Sequence, residues 1–473
     1  MYMKENNTFD LIVIGTGTAA STAAQKCRSE GWSVAIVDSD YYGGTCALRG
    51  CDPKKVLVEA AKIIDSSRRH EGNGVKGSQK MHINWSELMS FKKTFTEPFP
   101  KHREQGFIDA GIKTFHGHAR FIGRNSVNVN KLNKDGDNSV LNGRYILIAT
   151  GAKPARLGIS GEENIITSNE FLSLDGDDLP NDIVFVGGGY ISFEFAHIAA
   201  RAGAKVTILH RGKEFLEHFD PDLVTQLVNR SKEIGIEARL LTTVKQINKL
   251  ADGRLQVKSS GFSKSHSSEL ESDVIETNLV VHGAGREANI DGLSLSVGDI
   301  EQTTRGIKVN DYLQSVSNPS IYAAGDAADS GGFPLTPVAS YEGGIVADNM
   351  LKGNIIKPSY LGLPSVVFTI PPLASVGMLE SEAIDLGLKF KTNYQNTSAW
   401  ASSRRVGESC SGFNVLIEDI SNKILGAHII GPHADEIINI FAMAIRLGLT
   451  IKELNDPILY SYPTNSSDIV YML

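Results

Sequence analysis

Residues 43–55 read GGTCALRGCDPKK and place Cys46 and Cys51 five positions apart, between glycines and a proline–lysine pair. They are two of only four cysteines in 473 residues. So few cysteines do not build a disulfide scaffold, and in a reducing compartment a close pair is catalytic or metal-binding rather than structural. Zinc fits poorly, because neither a second cysteine pair nor a close histidine accompanies them. Cys27, on an alanine-rich segment, reads as a small buried residue, and Cys410, in GESCSGF, as a loop thiol. His116 and His118 alternate as strand side chains do, but two histidines without a third ligand make no metal site. His428 and His433 read as structural histidines near a strand end. No metal site is assigned.

A second kind of chemistry is written in the glycines. Residues 9–40 read as strand, glycine turn, helix, strand, with the turn GTGTAA at residues 15–20. Gly15 permits the tight turn, Gly17 lets a pyrophosphate approach the backbone, and Ala20 keeps the helix close to the sheet. The helix N-terminus then offers free N–H groups and a positive dipole end. Asp38 closes the second strand 38 − 15 = 23 residues on, near the usual spacing of about 20 for a ribose-binding acid. The pattern recurs at residues 181–215, with Gly187, Gly189 and, at the third position, Ser192. Its second strand ends not in an acid but in His210 and Arg211. An acid there would hold a free 2′-hydroxyl, whereas an arginine accommodates a 2′-phosphate. The pair of sites therefore reads as FAD first and NADPH second, with NADH the weaker nicotinamide partner.

These sites need sheets and helices to carry them, and the chain is long enough for more than one domain on a soft prior of roughly 100–200 residues each. Hydrophobic residues make up 41% and charged residues 21%, ordinary for a globular protein. A net charge of −7 argues against a nucleic-acid binder. The first residues lack a signal-peptide pattern, and runs such as YILIAT fall far short of the about 20 apolar residues that span a bilayer. A cytoplasmic protein with no membrane partner is expected. Residues 424–430 read as a strand, and from Ala434 the apolar residues Ile437, Ile438, Phe441, Ala444 and Ile445 fall on one helical face. The stretch PLASVGMLESEA (372–383) reads as strand edges, and the Ser-rich stretch between Asp252 and Asp273 as a hairpin loop.

Several further segments, in order, resemble the FAD-dependent pyridine nucleotide–disulfide oxidoreductases, the family of glutathione reductase, dihydrolipoamide dehydrogenase and mercuric reductase. GGTCALRGC is similar to the family's redox-active disulfide motif, with Gly44 and Thr45 inside it. IATGAKP (148–154), with Thr150 and Gly151, is similar to the segment returning to the FAD domain. GAGREANI (283–290) carries Gly285 and Arg286. IYAAGDAAD (321–329) carries Gly325 and Asp326, the acid for the ribityl or phosphate region. LTPVASYEG (335–343), with Thr336 and Pro337, resembles the stretch under the flavin. The resemblance implies an α/β fold with two Rossmann-like nucleotide-binding domains and an α+β C-terminal interface domain. The expected parts are 1–155 and 285–350 for FAD, 156–284 for NADPH, and 351–473 for a homodimer interface.

It also implies roles. Cys51 faces the flavin, and Cys46 is the outer thiol that attacks substrate. Lys54, or Lys55 one step on, reaches the flavin and pairs with Glu194, PKK favouring Lys54. Tyr190 covers the flavin until the nicotinamide displaces it. In an ideal helix residues five apart rise about 7.5 Å, beyond the about 4.4–6.8 Å that separates disulfide Cα atoms. The segment is therefore expected to be a distorted first helical turn, with Gly50 supplying freedom and Pro53 a stop. A helix N-terminus favours the reactive thiolate.

The C-terminus departs from the family. Where its pattern is H-P-T-x-x-E, this chain has Tyr462, Pro463, Thr464 and Ser467. A phenol with an ordinary pKa near 10 is a poor base at neutral pH. Mercuric reductases carry a tyrosine in this region but also a C-terminal cysteine pair, absent here. The expectation is an NADPH-linked flavoenzyme passing electrons through FAD to a Cys46–Cys51 disulfide and on to a disulfide substrate, small molecule or small protein. A metal-ion or quinone reductase is the alternative, and a non-catalytic redox sensor is third.

Overall fold

The computed structural model describes residues 7–130, 138–261, 271–456 and 458–473. In chain order the first nine helices are α1 (Thr18–Ser29), α2 (Gly44–Arg49), α3 (Cys51–Arg69), α4 (Trp85–Thr96), α5 (Phe99–Asp109), α6 (Ser168–Phe171), α7 (Tyr190–Arg201), α8 (Pro221–Glu233) and α9 (Thr336–Lys352). The chain divides into two compact units. One comprises Met1–Pro53, Lys92–Ala155 and Arg286–Tyr360, and the other Lys54–Phe91, Arg156–Gly285 and Leu361–Leu473.

The first unit is built on a sheet whose central strands Thr8–Ile14, Val34–Asp38, Lys113–His116, Ser139–Ile148 and Ile321–Ala323 run parallel. Ser126–Asn130 and His118–Gly123 extend it antiparallel. Leu11, Ile12 and Val13 are fully buried, as a parallel strand covered on both faces requires. Helices α1 and α9 pack on it backbone to backbone: a Cβ on Gly343 would lie 2.4 Å from the carbonyl oxygen of Ala19. Ala19, Ala20, Ala23 and Ala24 are buried there, which explains the alanine-rich sequence.

The second unit holds a parallel sheet ordered Ile236–Arg239, Lys205–Leu209, Asp182–Val186, Leu279–His282. A three-stranded antiparallel sheet joins Thr242–Lys249, Leu255–Gly261 and Glu271–Thr277. The Ser-rich stretch falls largely on residues 262–270, outside the described residues. A five-stranded antiparallel sheet, Ser365–Val367, Leu373–Gly377, Ile424–Ile430, Gly412–Glu418 and Phe390–Asn396, carries the helix Ala434–Leu447. That helix buries Ile437, Ile438, Phe441, Ala444 and Ile445.

Three local expectations are corrected. Residues 372–383 are not strand edges throughout: Leu373–Gly377 is an inner strand paired on both sides, and Glu380–Asp385 is a helix, its first turn bonded by the Glu382 carboxylate to the Leu379 N–H. Pro53 stops nothing. It is the third residue of α3, where the missing N–H has no intrahelical partner to lose. The cysteine segment is not one distorted turn but two helices, with the break at Gly50 (φ −144°, ψ −115°) between α2 and α3.

Candidate active site

In the first unit the glycine turn is shaped by contact. Gly15 has φ +109°, and a Cβ there would lie 2.3 Å from the Ala149 carbonyl oxygen. Gly17 caps α1 without any side-chain hydrogen bond, so the first N–H groups of the helix keep their donor capacity. Gly44, at φ +72°, lies against it. Asp38 receives the Thr16 hydroxyl at 2.6 Å and the Asp40 N–H at 3.0 Å. Burial pushes its carboxyl up, and the Thr16 hydrogen bond opposes that shift. Thr16 also accepts the Gly43 N–H, tying the acid to the cysteine loop.

Along the same strand ends, Gly151 adopts φ +68° and the Thr150 hydroxyl is buried without a partner. Burial likewise raises the Asp326 carboxyl, against the charge of Arg286. Gly325 (φ +66°) donates to Glu342 at 2.7 Å, and Tyr360 donates to the other oxygen of Glu342. Free N–H groups at α1, glycine backbone open to close approach, an orphaned hydroxyl and two half-buried acids fit an FAD. Gly15, Gly17, Ala20, Asp38, Thr150 and Asp326 are the residues that would hold it.

In the second unit Gly187 has φ +116°, and a Cβ there would meet the Gly283 carbonyl at 2.3 Å. Gly189 caps α7 with no side-chain bond. The middle glycine was not singled out from the sequence, yet a Cβ on Gly188 would lie 2.5 Å from the His210 ring. Arg211 is exposed just past the strand Lys205–Leu209, and Gly285 has φ +107° with open space beside it. The Ser192 hydroxyl is buried without a partner.

The two cysteines stand as thiols, Cys46 half-buried on α2 and Cys51 exposed as the first residue of α3. A Cβ on Gly50 would lie 2.9 Å from the Thr45 carbonyl oxygen, so only glycine lets α3 start this close to α2. The neighbouring Cys51 sulfur, together with burial, pushes the Cys46 thiol up from the usual thiol range. The Thr336 hydroxyl, in the first turn of α9, lies 3.5 Å from the Cys51 sulfur. Pro337 follows it in that first turn.

Lys54 Nζ forms an ion pair with Glu194, whose side chain is only 1% exposed. Lys55 instead sets its ammonium 3.5 Å from the centre of the Phe368 ring. Lys54 lies 5.8 Å from the rings of both Tyr190 and Phe368. Tyr462 is 87% exposed. Ser467 donates to the Thr464 carbonyl at 2.6 Å and accepts the Thr464 N–H at 3.3 Å, so its hydroxyl is spent at the start of the last helical segment, Asn465–Tyr471.

The pyridine nucleotide-disulphide oxidoreductase model matches residues 9–343, and the dimerisation domain of the same family matches residues 363–473. The chain belongs to the pyridine nucleotide-disulphide oxidoreductase family. It is 32% identical to a glutathione reductase of Burkholderia cepacia, over 98% of each chain. It is 30% identical to a mercuric reductase of Lysinibacillus sphaericus, over 96% of this chain and 80% of that one. The solved Cu(II) complex of RclA, an HOCl-induced flavoprotein disulfide reductase of Escherichia coli, superposes with a TM-score of 0.85 at 25% identity, covering 98% and 99% of the two chains.

The chain is thus an FAD- and NAD(P)H-dependent disulphide oxidoreductase with the family's dimerisation domain. No described helix of this oxidoreductase is long and apolar enough to cross a membrane. Sequence reasoning missed Thr16, Glu342 and Phe368, each of which fixes a residue it had named. Glu342 stood in the quoted LTPVASYEG, but nothing in that segment reveals the Gly325 N–H it would meet.

Proposed function

We propose that this enzyme oxidises NADPH and reduces a disulfide whose leaving thiol has a low pKa, at the Cys46–Cys51 pair. The reading rests on one observation: the close thiol pair Cys46 and Cys51 is kept, while Tyr462 and Ser467 stand in the places of the family's acid–base pair. The proposed parts are 1–155 and 285–350 for FAD, 156–284 for NADPH, and 351–473 as a homodimer interface that brings Tyr462 to the other subunit's cysteines. FAD, when bound, supplies the two-electron link between nicotinamide and thiol pair.

The chain's own residues account for the rest. Cys46 loses its proton to solvent and attacks one sulfur of the substrate disulfide, forming a mixed disulfide with it. The first substrate thiol departs as a thiolate, because Tyr462 stands in the place of the histidine that would protonate it. A low-pKa thiol leaves readily in this way, and a high-pKa thiol slowly. Cys51, losing its proton to solvent, then attacks the Cys46 sulfur, releases the second thiol and leaves the pair as a disulfide. Two electrons from NADPH return it to two thiols, so each NADPH yields two substrate thiols. Lys54, held by Glu194, is the proposed flavin contact, with Tyr190 as the proposed cover. Arg211 selects the 2′-phosphate.

A second reading is favoured by two relatives: a mercuric reductase, and RclA solved with Cu(II). Two adjacent thiols are soft ligands suited to such ions as substrates. The test is NADPH oxidation with glutathione disulfide, an aryl disulfide, Hg(II) and Cu(II) as acceptors. The first reading expects fast turnover of the aryl disulfide and slow turnover of glutathione disulfide. Turnover with the metal ions alone would replace it by the second reading, and fast glutathione disulfide reduction would refute the leaving-group argument.

A further inference from the structure

One face of α7 carries three buried polar side chains at i, i+3 and i+7: Glu194, His197 and Arg201, exposed 1%, 1% and 3%. Burying three such groups is costly unless every one is satisfied. All three reach the same short stretch of backbone. Glu194 Oε1 accepts the Phe368 N–H at 2.7 Å. His197 Nδ1 accepts the Ile370 N–H at 3.1 Å. Arg201 Nη2 donates to the Ile370 carbonyl at 3.0 Å. The backbone of residues 368–370 is therefore held by side chains where a neighbouring strand would otherwise hold it.

The far side of the histidine is also fixed. Ser231, on α8, donates its hydroxyl to the Leu227 carbonyl at 2.8 Å. Its oxygen therefore accepts from His197 Nε2, 2.9 Å away. This defines a neutral ring with the proton on Nε2 and the lone pair on Nδ1 aimed at Ile370. Arg201 is anchored in turn by Asp65 of α3, at 2.6 and 3.1 Å.

What this clamp holds matters for Lys54. Glu194 has one oxygen on the Phe368 N–H and the other on the Lys54 ammonium. The Phe368 ring lies beside both Lys54 and Lys55. A shift of residues 368–370 would therefore move the carboxylate and the aromatic face that locate Lys54. We infer that His197 is a positioning residue: by fixing Ile370 it sets where Glu194 holds the Lys54 ammonium. The inference rests on the proposed reading of Lys54 as the flavin contact.

The test uses the full-length, FAD-loaded enzyme and three variants: His197→Leu, His197→Asn and Ser231→Ala. Leucine fills the space without an acceptor, whereas the asparagine carbonyl stands near the place of Nδ1. The first readout is reductive methylation of Lys54, followed by mass spectrometry. The second is kcat against KM for NADPH. His197→Leu should label Lys54 roughly tenfold faster and lower kcat by roughly ten- to a hundredfold, the scale of a small misplacement near a reacting group, with KM for NADPH little changed. His197→Asn should recover most of both, and Ser231→Ala should fall between. Equal labelling in all four proteins overturns the inference, as does an asparagine variant no better than leucine. If His197→Leu fails to fold, the asparagine and Ser231→Ala proteins decide it, since unchanged labelling in Ser231→Ala also counts against the clamp. If the unmutated protein oxidises no NADPH, the proposed function fails while the labelling comparison still judges the clamp.

Discussion

A Cβ placed on Gly44 would stand 2.5 Å from the Cα of Gly17, so the loop that leads into Cys46 rests directly on the glycine turn of the first nucleotide site. The spacing between the proposed cofactor turn and the cysteine pair is thus set by two glycines 27 positions apart, backbone on backbone.

Gly44→Ala should disturb both at once. The residue sits at φ +72°, where alanine is strained, and its methyl would collide with backbone that cannot swing away. The expected loss is more than about 1 kcal/mol, together with weaker flavin retention. Thermal unfolding with and without added FAD measures both, and a variant as stable and as yellow as the parent would contradict the contact.

The Lys54–Glu194 pair is buried, so breaking it from one side should cost more than removing it whole. Lys54→Met leaves the Glu194 carboxylate uncompensated, and the expected cost is about 3–5 kcal/mol. Adding Glu194→Gln should recover part of that. Urea unfolding of the two single variants and the double variant closes the cycle, and additive losses would show that the pair is not coupled.

Arg211 is exposed two residues beyond the end of the strand Lys205–Leu209 and is the proposed 2′-phosphate contact. Arg211→Glu should weaken NADPH by about ten- to a hundredfold, the value of one charge-assisted hydrogen bond, and NADH far less. Binding titrations with both nucleotides test this, and equal losses would remove Arg211 from phosphate recognition.

Acid should destabilise the fold through His197. Burial and the nearby Arg201 and Arg230 charges hold its pKa well below 6.5. The unfolded chain takes up a proton there as pH falls below 6.5 and the folded chain does not, so the stability is full above that value and is lost on acidification. Burial lowers His428 in the same direction. The carboxyls of half-buried Asp326 and of buried Glu342 and Glu408, raised by desolvation, act with the opposite sign. A comparison of His197→Asn with the parent cancels those terms. The variant should lose less stability between pH 7 and pH 5, by up to about 1.4 kcal/mol per pH unit. Parallel stability curves would show that His197 titrates normally.

Tyr462→His with Ser467→Glu should raise glutathione disulfide turnover, because it supplies a base and an orienting acid where neither stands now. Ser467→Glu puts a carboxylate where the Ser467 hydroxyl now accepts the Thr464 N–H at the start of the last helical segment, so stability should change little. Steady-state assays on the double variant check the first expectation and thermal melts the second. Unchanged turnover would mean that the missing pair is not what limits the reaction.

Much of this architecture was legible in the sequence. Glycine turns flanked by apolar strands, an acid at one strand end and an arginine at the other, and a close cysteine pair are local patterns, and local patterns report backbone geometry and chemistry directly. Tertiary structure decided the rest, because it depends on partners far apart in the chain. Lys54 and Glu194 are 140 residues apart, and Glu194 and Phe368 are 174. Nothing in the FEFAH run tells that His197 will meet the Ile370 N–H. Nothing in GGTCALRGC tells that Gly50 separates two helices, since that break is fixed by the close approach to the Thr45 carbonyl. The sequence by itself determined which chemistry the chain carries. Packing of side chains onto distant backbone decided which atoms hold that chemistry in place, because a hydrogen bond has a distance and an angle that spacing along the chain cannot express.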